Sequence, residues 1–184
     1  MSWSGTTRTP GPNSRRMPPT VATVGGIRRE FGPGALVVPD QIIDYTWGRC
    51  STFFEGPGVK VTHVDFTHPY SAALRDRILA AARECGEEVA SQGTYAATQG
   101  PRLETAAEID RLERDGADLV GMTGMPEAAL AREAGLEYAA IAVVANHAAG
   151  RGDSATAISL EAMERVLARA MERVHRIIVR LAAA

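Results

Sequence analysis

Three apolar runs in this sequence lead into polar side chains that could take part in chemistry. The run 88–98 is followed by Glu104, the run 118–122 is followed by Thr123, and the run 138–146 ends at Asn146. A carboxylate accepts hydrogen bonds, an amide donates and accepts them, and a hydroxyl beside the free N–H groups of a helix start can hold an anion. Because ligands of open α/β sheets bind beyond the carboxyl ends of central strands, the three side chains predict one polar site.

Each of these side chains also has a purely structural interpretation. Thr123 could cap a helix that begins at Pro126. Asn146 could form a turn after its strand, and Glu104 could complement the dipole in the first turn of a helix. Spacing alone leaves these alternatives open.

Strands and helices alternate along the chain and must position these residues. Apolar or alternating runs predict strands at 21–27, at 35–43 with a break at Pro39, and at 59–66, 88–98, 118–122 and 138–146. Helical spacing predicts helices over 71–86, 104–117 and 126–135, and a long final helix whose buried face runs from Ile158 through Met171 to Leu181. This alternation indicates an α/β fold with a mixed or parallel sheet. The unbroken apolar run 138–146 is expected to be a central strand.

Length and composition fit one globular domain and argue against several classes of partner. The chain has 184 residues, of which 45% are hydrophobic and 23% charged, and its net charge is −2. No basic excess points to nucleic acid or to an anionic membrane as a partner. No apolar run approaches the ~18 residues of a membrane-spanning helix.

The cysteines and the N-terminus predict an ordinary cytoplasmic protein. Cys50 and Cys85 lie far apart and in no metal-type spacing, so neither a disulfide framework nor a zinc site is expected. The first residues lack the apolar core of a secretory signal. Residues 1–20 are rich in Ser, Thr, Gly and Pro and are expected to be a disordered or divergent segment ahead of one domain over 21–184.

Longer strings of the sequence resemble one protein family. The strings are GGI (25–27), PGALVVPDQIIDYTWGR (33–49), THVDFTHPYS (62–71), GTYAATQGPRLETAAEI (93–109) and GADLVGMTGMPEAALAREAGLEYAAIAVVAN (116–146). They are similar to the trimeric purine nucleoside phosphorylases, in the branch that includes methylthioadenosine and methylthioinosine phosphorylases. The resemblance covers about residues 24 to 180, and its most specific blocks are GPRLET and MTGMPEA.

The resemblance implies a fold, a reaction and an assembly. The fold is a mixed sheet bent into a partial barrel and surrounded by helices. The reaction is the reversible phosphorolysis of a purine nucleoside to free purine and pentose 1-phosphate. Inorganic phosphate is the co-substrate, no other cofactor and no metal is needed, and the assembly is a homotrimer.

The resemblance also implies roles for individual residues. Phosphate would be held by the Thr123 hydroxyl and by the chain at Ala22 and Thr23, and the sugar by Met122. The base would contact Leu103, Glu104, Asn146, His147 and Ala148, with Asn146 as the catalytic residue that hydrogen-bonds the departing purine. His63 would reach a neighbouring subunit's 5′ pocket, and Ile158, Leu160 and Met163 would form the apolar wall at the 5′ substituent. His63 could instead be a surface histidine, and those three apolar residues could simply face the core.

Base specificity follows from the polar groups at the matched positions. Adenosine-type members of the family carry aspartates where this sequence has Asn146 and Ala148. An Asn amide can donate to O6 or N7 of a 6-oxopurine, and the Glu104 carboxylate can accept from N1–H, which hypoxanthine has and adenine lacks. The strings are most similar to methylthioinosine phosphorylases, so S-methyl-5′-thioinosine is the expected substrate, with inosine or guanosine as the alternative.

The sequence departs from the family in the phosphate half of the site. The family's first Gly-rich turn, its Arg-His-Gly segment and its Asn-Tyr helix are not found, and residues 1–20 stand in their place. Ala22 replaces a polar residue, and Thr23 replaces the usual Ala. We therefore expect an N-terminally incomplete phosphorylase domain with little activity. The alternatives are a non-catalytic purine-binding or assembly protein, and a nucleosidase that uses water.

Overall fold

The computed structural model describes residues 19–183, and its centre is a mixed six-stranded sheet in the order β2-β6-β1-β5-β4-β3. The strands are β1 (Thr20–Gly26), β2 (Leu36–Val37), β3 (Gln41–Asp44), β4 (Thr94–Ala97), β5 (Leu119–Gly121) and β6 (Ala140–His147). β6 runs parallel to β1 and antiparallel to β2, whereas β1 and β5 are antiparallel and β5, β4 and β3 are parallel. The sheet curls into a half-barrel, as the resemblance implies.

Four helices surround this sheet. They are α1 (Ala72–Glu84), α2 (Ala106–Arg114), α3 (Gly124–Glu133) and α4 (Leu160–Ala182). Side-chain caps explain where three of them begin, because Ser71, Thr105 and Ser159 each accept a hydrogen bond from a backbone N–H in the first turn. In α3 the backbone of Met125 is extended, with φ −124° and ψ 139°. Helical geometry therefore begins at Pro126, where the sequence predicts it.

Alternation along the strands separates two apolar layers. Ile141 and Val143 of β6 pack against Leu74 and Ile78 of α1 and against α4. The intervening residues of β6 pack with Ala22, Val24, Phe31, Tyr95 and Leu119 inside the curled sheet. Residues 140–145 of β6 are buried, and the strand pairs with β1 on one side and with β2 on the other, which confirms it as an inner strand.

Three sequence-based predictions need correction. Residues 59–66 form no strand, and Val61 is 67% exposed, because no neighbouring strand takes up their backbone hydrogen-bonding groups. The run 88–98 forms a strand only over Thr94–Ala97. Met171 is 42% exposed rather than on the buried face of α4. The disorder predicted for residues 1–20 falls largely on 1–18, outside the described residues.

The described helices carry no membrane-spanning segment: none of those within residues 19–183 is both long enough and apolar enough to cross a bilayer.

Tyr70 has a buried hydroxyl for which the described residues offer no hydrogen-bond partner. Its ring stacks on the ring of Tyr138, with centroids 5.9 Å apart. Burial raises the pKa of the Tyr70 hydroxyl well above its usual value. This hydroxyl has given up hydration without a compensating bond, and it is therefore a local cost to stability.

Tyr70→Phe is expected to leave the free energy of unfolding unchanged or to raise it by up to about 1 kcal/mol, because it removes that buried hydroxyl. Tyr138→Phe is the matched control, since the Tyr138 hydroxyl donates to Glu127 Oε2 at 2.9 Å. We expect the control to lose about 1 kcal/mol. Urea denaturation measures both changes, and a Tyr70→Phe protein less stable than Tyr138→Phe would contradict this prediction.

Candidate functional site

A cavity of 390 Å³ opens between the ends of β1, β5 and β6 and the start of α4. Its volume lies within the range of small-molecule sites, roughly 300–1,000 Å³. The predicted site residues that line it are Thr23, Leu103, Glu104, Met122, Thr123, Asn146, Ala148, Ile158 and Met163. Residues expected to contact the base, the sugar, phosphate and the 5′ substituent thus line the same cavity.

Four predicted residues lie outside this cavity. The side chain of Ala22 packs inside the curled sheet, and Leu160 is 65% exposed at the first turn of α4. His147 turns its ring toward Gly152 and accepts a hydrogen bond at Nδ1 from Asp153 N at 3.4 Å. His63 lies in the exposed segment between β3 and α1.

A β-bulge decides which residue of β6 faces the cavity. Val24 pairs with Val144, but the next residue, Gly25, pairs with Asn146, so Ala145 is the extra residue. Paired residues of neighbouring strands point to the same face of a sheet. The bulge therefore puts Asn146 on the cavity face and turns His147 to the opposite face.

The Thr123 hydroxyl is not a helix cap. Its side chain makes no capping hydrogen bond, because helical geometry begins three residues later at Pro126. The Thr123 backbone N–H donates to the Tyr95 hydroxyl at 3.2 Å. The hydroxyl of Thr123 is therefore left at the cavity wall and can bind a ligand.

Glu104 does not belong to the first turn of α2 either, where it could complement the helix dipole. The capping box of α2 consists of Thr105 and Glu108. Arg102 holds the pKa of the Glu108 carboxyl at about 2, mainly through a side-chain hydrogen bond. Glu104 precedes this box, lines the cavity, and accepts a hydrogen bond from Thr98 Oγ1 at 2.6 Å.

Arg49 ties together the two segments that carry the site residues. Nη1 donates to the carbonyls of Met122, at 2.8 Å, and Met125. Nη2 donates to the carbonyls of Thr98, at 3.2 Å, and Gln99, at 2.9 Å, and Nε donates to Gln99 Oε1 at 3.3 Å. A guanidinium has five N–H donors, and all five are used here. Arg49 is therefore a structural clamp rather than an anion ligand.

Tyr95 packs against the segment that carries Met122 and Thr123. Its buried ring occupies the space that side chains at positions 121 and 124 would need, and a Cβ on Gly121 would lie 2.5 Å from the Tyr95 hydroxyl oxygen. Small residues at both positions let β5 and α3 pass over the ring. Of the supporting residues Thr98, Arg49 and Tyr95, sequence reasoning identified none, and the one usable signal was the hydroxyl of Thr98 at a strand end.

The described part of the chain contains no cluster of three His, Cys, Asp or Glu side chains arranged to hold a metal ion. Cys50 and Cys85 are free thiols.

Comparisons with known proteins agree on one family of relatives. The family model described as the phosphorylase superfamily matches residues 20–183. A probable S-methyl-5′-thioinosine phosphorylase of Xylella fastidiosa is 66% identical over 133 residues, which are 72% of this chain and 54% of that protein. The 6-oxopurine nucleoside phosphorylase of Pyrococcus furiosus is 48% identical over 134 residues, 70% of this chain and 51% of that protein.

The fold also has solved counterparts. Methylthioadenosine phosphorylase from Schistosoma mansoni in complex with adenine superposes with a TM-score of 0.83 at 26% identity. The match covers 90% of this chain and 64% of that structure. The chain thus spans between half and two thirds of the length of these three relatives.

Proposed function

This chain belongs to the phosphorylase superfamily, and from that premise we propose that it forms the purine- and sugar-binding part of a 6-oxopurine nucleoside phosphorylase. The proposed reaction converts S-methyl-5′-thioinosine and phosphate into hypoxanthine and methylthioribose 1-phosphate. The observation that carries the proposal is the single cavity in which Asn146, Glu104, Met122 and Thr123 meet. The names of the Xylella and Pyrococcus relatives support the same substrate class.

The base end of the cavity suits a 6-oxopurine. Asn146 Nδ2 is a donor that can turn toward O6 or N7, and in this structure it donates to His147 O at 2.5 Å. The Glu104 carboxylate accepts from N1–H. Ala148 offers no acidic acceptor for a 6-amino group, and Leu103 supplies an apolar surface for the ring. A site built to pair one edge of a base rejects the mismatched edge, because its polar groups stay unpaired.

The 5′ end suits a thioether. Ile158 and Met163 line the cavity next to Val21, so this wall is apolar. An S-methyl group gains from leaving water there, whereas a 5′ hydroxyl would lose hydrogen bonds. We therefore place the methylthio substituent against α4.

The proposed chemistry is a displacement at the sugar C1′. The bond from C1′ to N9 of the purine breaks, its electron pair moves onto the base, and a phosphate oxygen bonds to C1′. Asn146 stabilises the leaving purine by donating a hydrogen bond where negative charge develops. The Thr123 hydroxyl donates to phosphate, and Met122 holds the sugar over it.

Base selectivity tests this proposal. We expect the chain to bind hypoxanthine at least about tenfold more tightly than adenine, a difference of about 1.4 kcal/mol. Asn146→Asp should reverse the preference toward adenine, because an aspartate accepts from the 6-amino group and repels O6. Calorimetric titration with both bases measures the ratio. Equal affinity of the unsubstituted chain for the two bases would refute the assignment.

The resemblance also leads us to propose a cyclic trimer in which His63 completes a neighbour's 5′ pocket. Sedimentation of the purified chain is expected to give three times the monomer mass. His63→Ala should then weaken S-methyl-5′-thioinosine binding and leave hypoxanthine binding unchanged, because the free base does not reach the 5′ pocket. A monomer that binds the nucleoside as tightly as the base would contradict this assembly.

A further inference from the structure

Thr98 lies where β4 ends and β5 passes beside it. Its backbone N–H donates to Gly121 O at 2.8 Å, which fixes its main chain against β5. Its hydroxyl oxygen is 3.2 Å from the same carbonyl and 2.6 Å from Glu104 Oε1. A hydroxyl has one proton to donate. The shorter contact to a charged acceptor is the stronger hydrogen bond, so that proton goes to Glu104.

This hydrogen bond restricts Glu104, which otherwise has several rotatable bonds. Glu104 lines the cavity, and the bond from Thr98 to its Oε1 fixes the orientation of its carboxylate. The described residues provide no hydrogen-bond donor to Oε2, so this oxygen remains an acceptor that a ligand can use. Pre-organised acceptors lose less conformational freedom when the ligand arrives.

We propose that Thr98 is a positioning residue that sets the preference for purines with a hydrogen on N1, an inference that rests on the function proposed above. Thr98 does not touch the base. It keeps the Glu104 carboxylate where N1–H of a 6-oxopurine can donate to it, and where the unprotonated N1 of adenine meets only negative charge. Removing the Thr98 hydroxyl frees the Glu104 carboxylate to rotate away. The binding of 6-oxopurines is then weakened more than the binding of adenine.

The alternative is that the Thr98 hydroxyl only stabilises the loop that joins β4 to α2. A structural role would lower thermal stability and would weaken both bases equally. A positioning role changes the ratio of the two affinities and requires the Glu104 carboxylate. The two roles can therefore be separated by ligand pairs and by a double-substitution cycle.

The experiment measures dissociation constants of hypoxanthine and adenine for the 184-residue chain and its variants. Thr98→Val, which keeps the side-chain shape, is expected to weaken hypoxanthine about tenfold and adenine less than twofold. Thr98→Ser restores the hydroxyl and should keep the ratio within threefold of the original. In a Glu104→Ala background, Thr98→Val should change neither constant more than twofold.

Three outcomes would overturn the inference. They are an unchanged affinity ratio in Thr98→Val, an equal loss for both bases, and a full effect of Thr98→Val in the Glu104→Ala background. Melting temperatures recorded with each base bound provide a second readout. Thr98→Val should reduce the rise in melting temperature given by hypoxanthine and leave the rise given by adenine unchanged. An unsubstituted chain without preference for hypoxanthine contradicts the proposed function itself, and the Thr98 inference falls with it.

Discussion

Arg49→Ala is expected to lower the free energy of unfolding by about 3 kcal/mol and to weaken hypoxanthine binding at least about tenfold. The substitution removes all five hydrogen bonds of the guanidinium and leaves the carbonyls of Thr98, Gln99, Met122 and Met125 without this donor. Each partner left unpaired in a half-buried place costs part of its hydration energy. The effect reaches the site because Met122 and Thr98 lie on the two segments that Arg49 joins.

Two further variants separate charge from geometry. Arg49→Lys keeps the positive charge but offers three donors from one point, so it should recover less than half of the lost stability. Arg29→Ala is the control, because Arg29 is an exposed arginine outside the cavity. We expect it to change stability by less than about 0.5 kcal/mol. Urea denaturation and calorimetric titration measure the effects. A fully stable Arg49→Ala chain would show that the clamp is dispensable.

The architecture of the site could be read from the sequence because local patterns determine it. The unbroken run that becomes β6, the helical spacing that becomes α1 and the Pro126 start of α3 each depend on neighbouring residues. Residues 59–66 show the limit of such patterns. Their alternation fits a strand, but a strand also needs a partner, and pairing is a property of the whole fold.

The orientation of individual side chains was less accessible. Simple alternation along β6 would put Asn146 on the inner face of the curled sheet, and the extra residue Ala145 reverses this. A one-residue shift exchanges the two faces of a strand. No local feature of the sequence marks the bulge, so the turning of His147 away from the cavity was not predictable.

Long-range hydrogen bonds were equally hidden. Arg49 meets the carbonyl of Met122 across 73 positions of the chain, and any exposed or half-buried arginine would look the same in the sequence. Thr98 and Glu104 are six positions apart, yet their contact depends on how the loop after β4 folds back. Supporting residues of this kind act through geometry, and residue type alone does not specify their partners.

The electrostatics of the cavity bear on phosphate, the second substrate of the proposed reaction. Among the described residues that line it, none is cationic, and Glu104 is anionic. Arg49 has no donor left, and Arg28 forms ion pairs with Glu30 and Asp118. Phosphate carries between one and two negative charges near neutral pH, and binding it out of water calls for charge-assisted donors. The described residues provide the Thr123 hydroxyl and backbone N–H groups.

We therefore expect the 184-residue chain to bind hypoxanthine but to catalyse phosphorolysis poorly. Losing one ionic hydrogen-bond partner costs about 1.5–3 kcal/mol, and a phosphate site normally uses several. The expected kcat/KM for S-methyl-5′-thioinosine is on the order of a thousandfold below that of the Xylella relative. The assay follows hypoxanthine release from the nucleoside, with and without phosphate, for both proteins under the same conditions.

Thr123→Val serves as the internal control for this assay, because it removes the hydroxyl assigned to phosphate and keeps the side-chain shape. Residual phosphorolysis should fall by about a further tenfold, while the dissociation constant of hypoxanthine stays within twofold. Turnover of the unsubstituted chain within tenfold of the relative would contradict the electrostatic argument. Hypoxanthine release that is independent of phosphate would identify a nucleosidase. Purine binding without any release would identify a non-catalytic purine-binding protein, because the base half of the cavity would then work without the phosphate half.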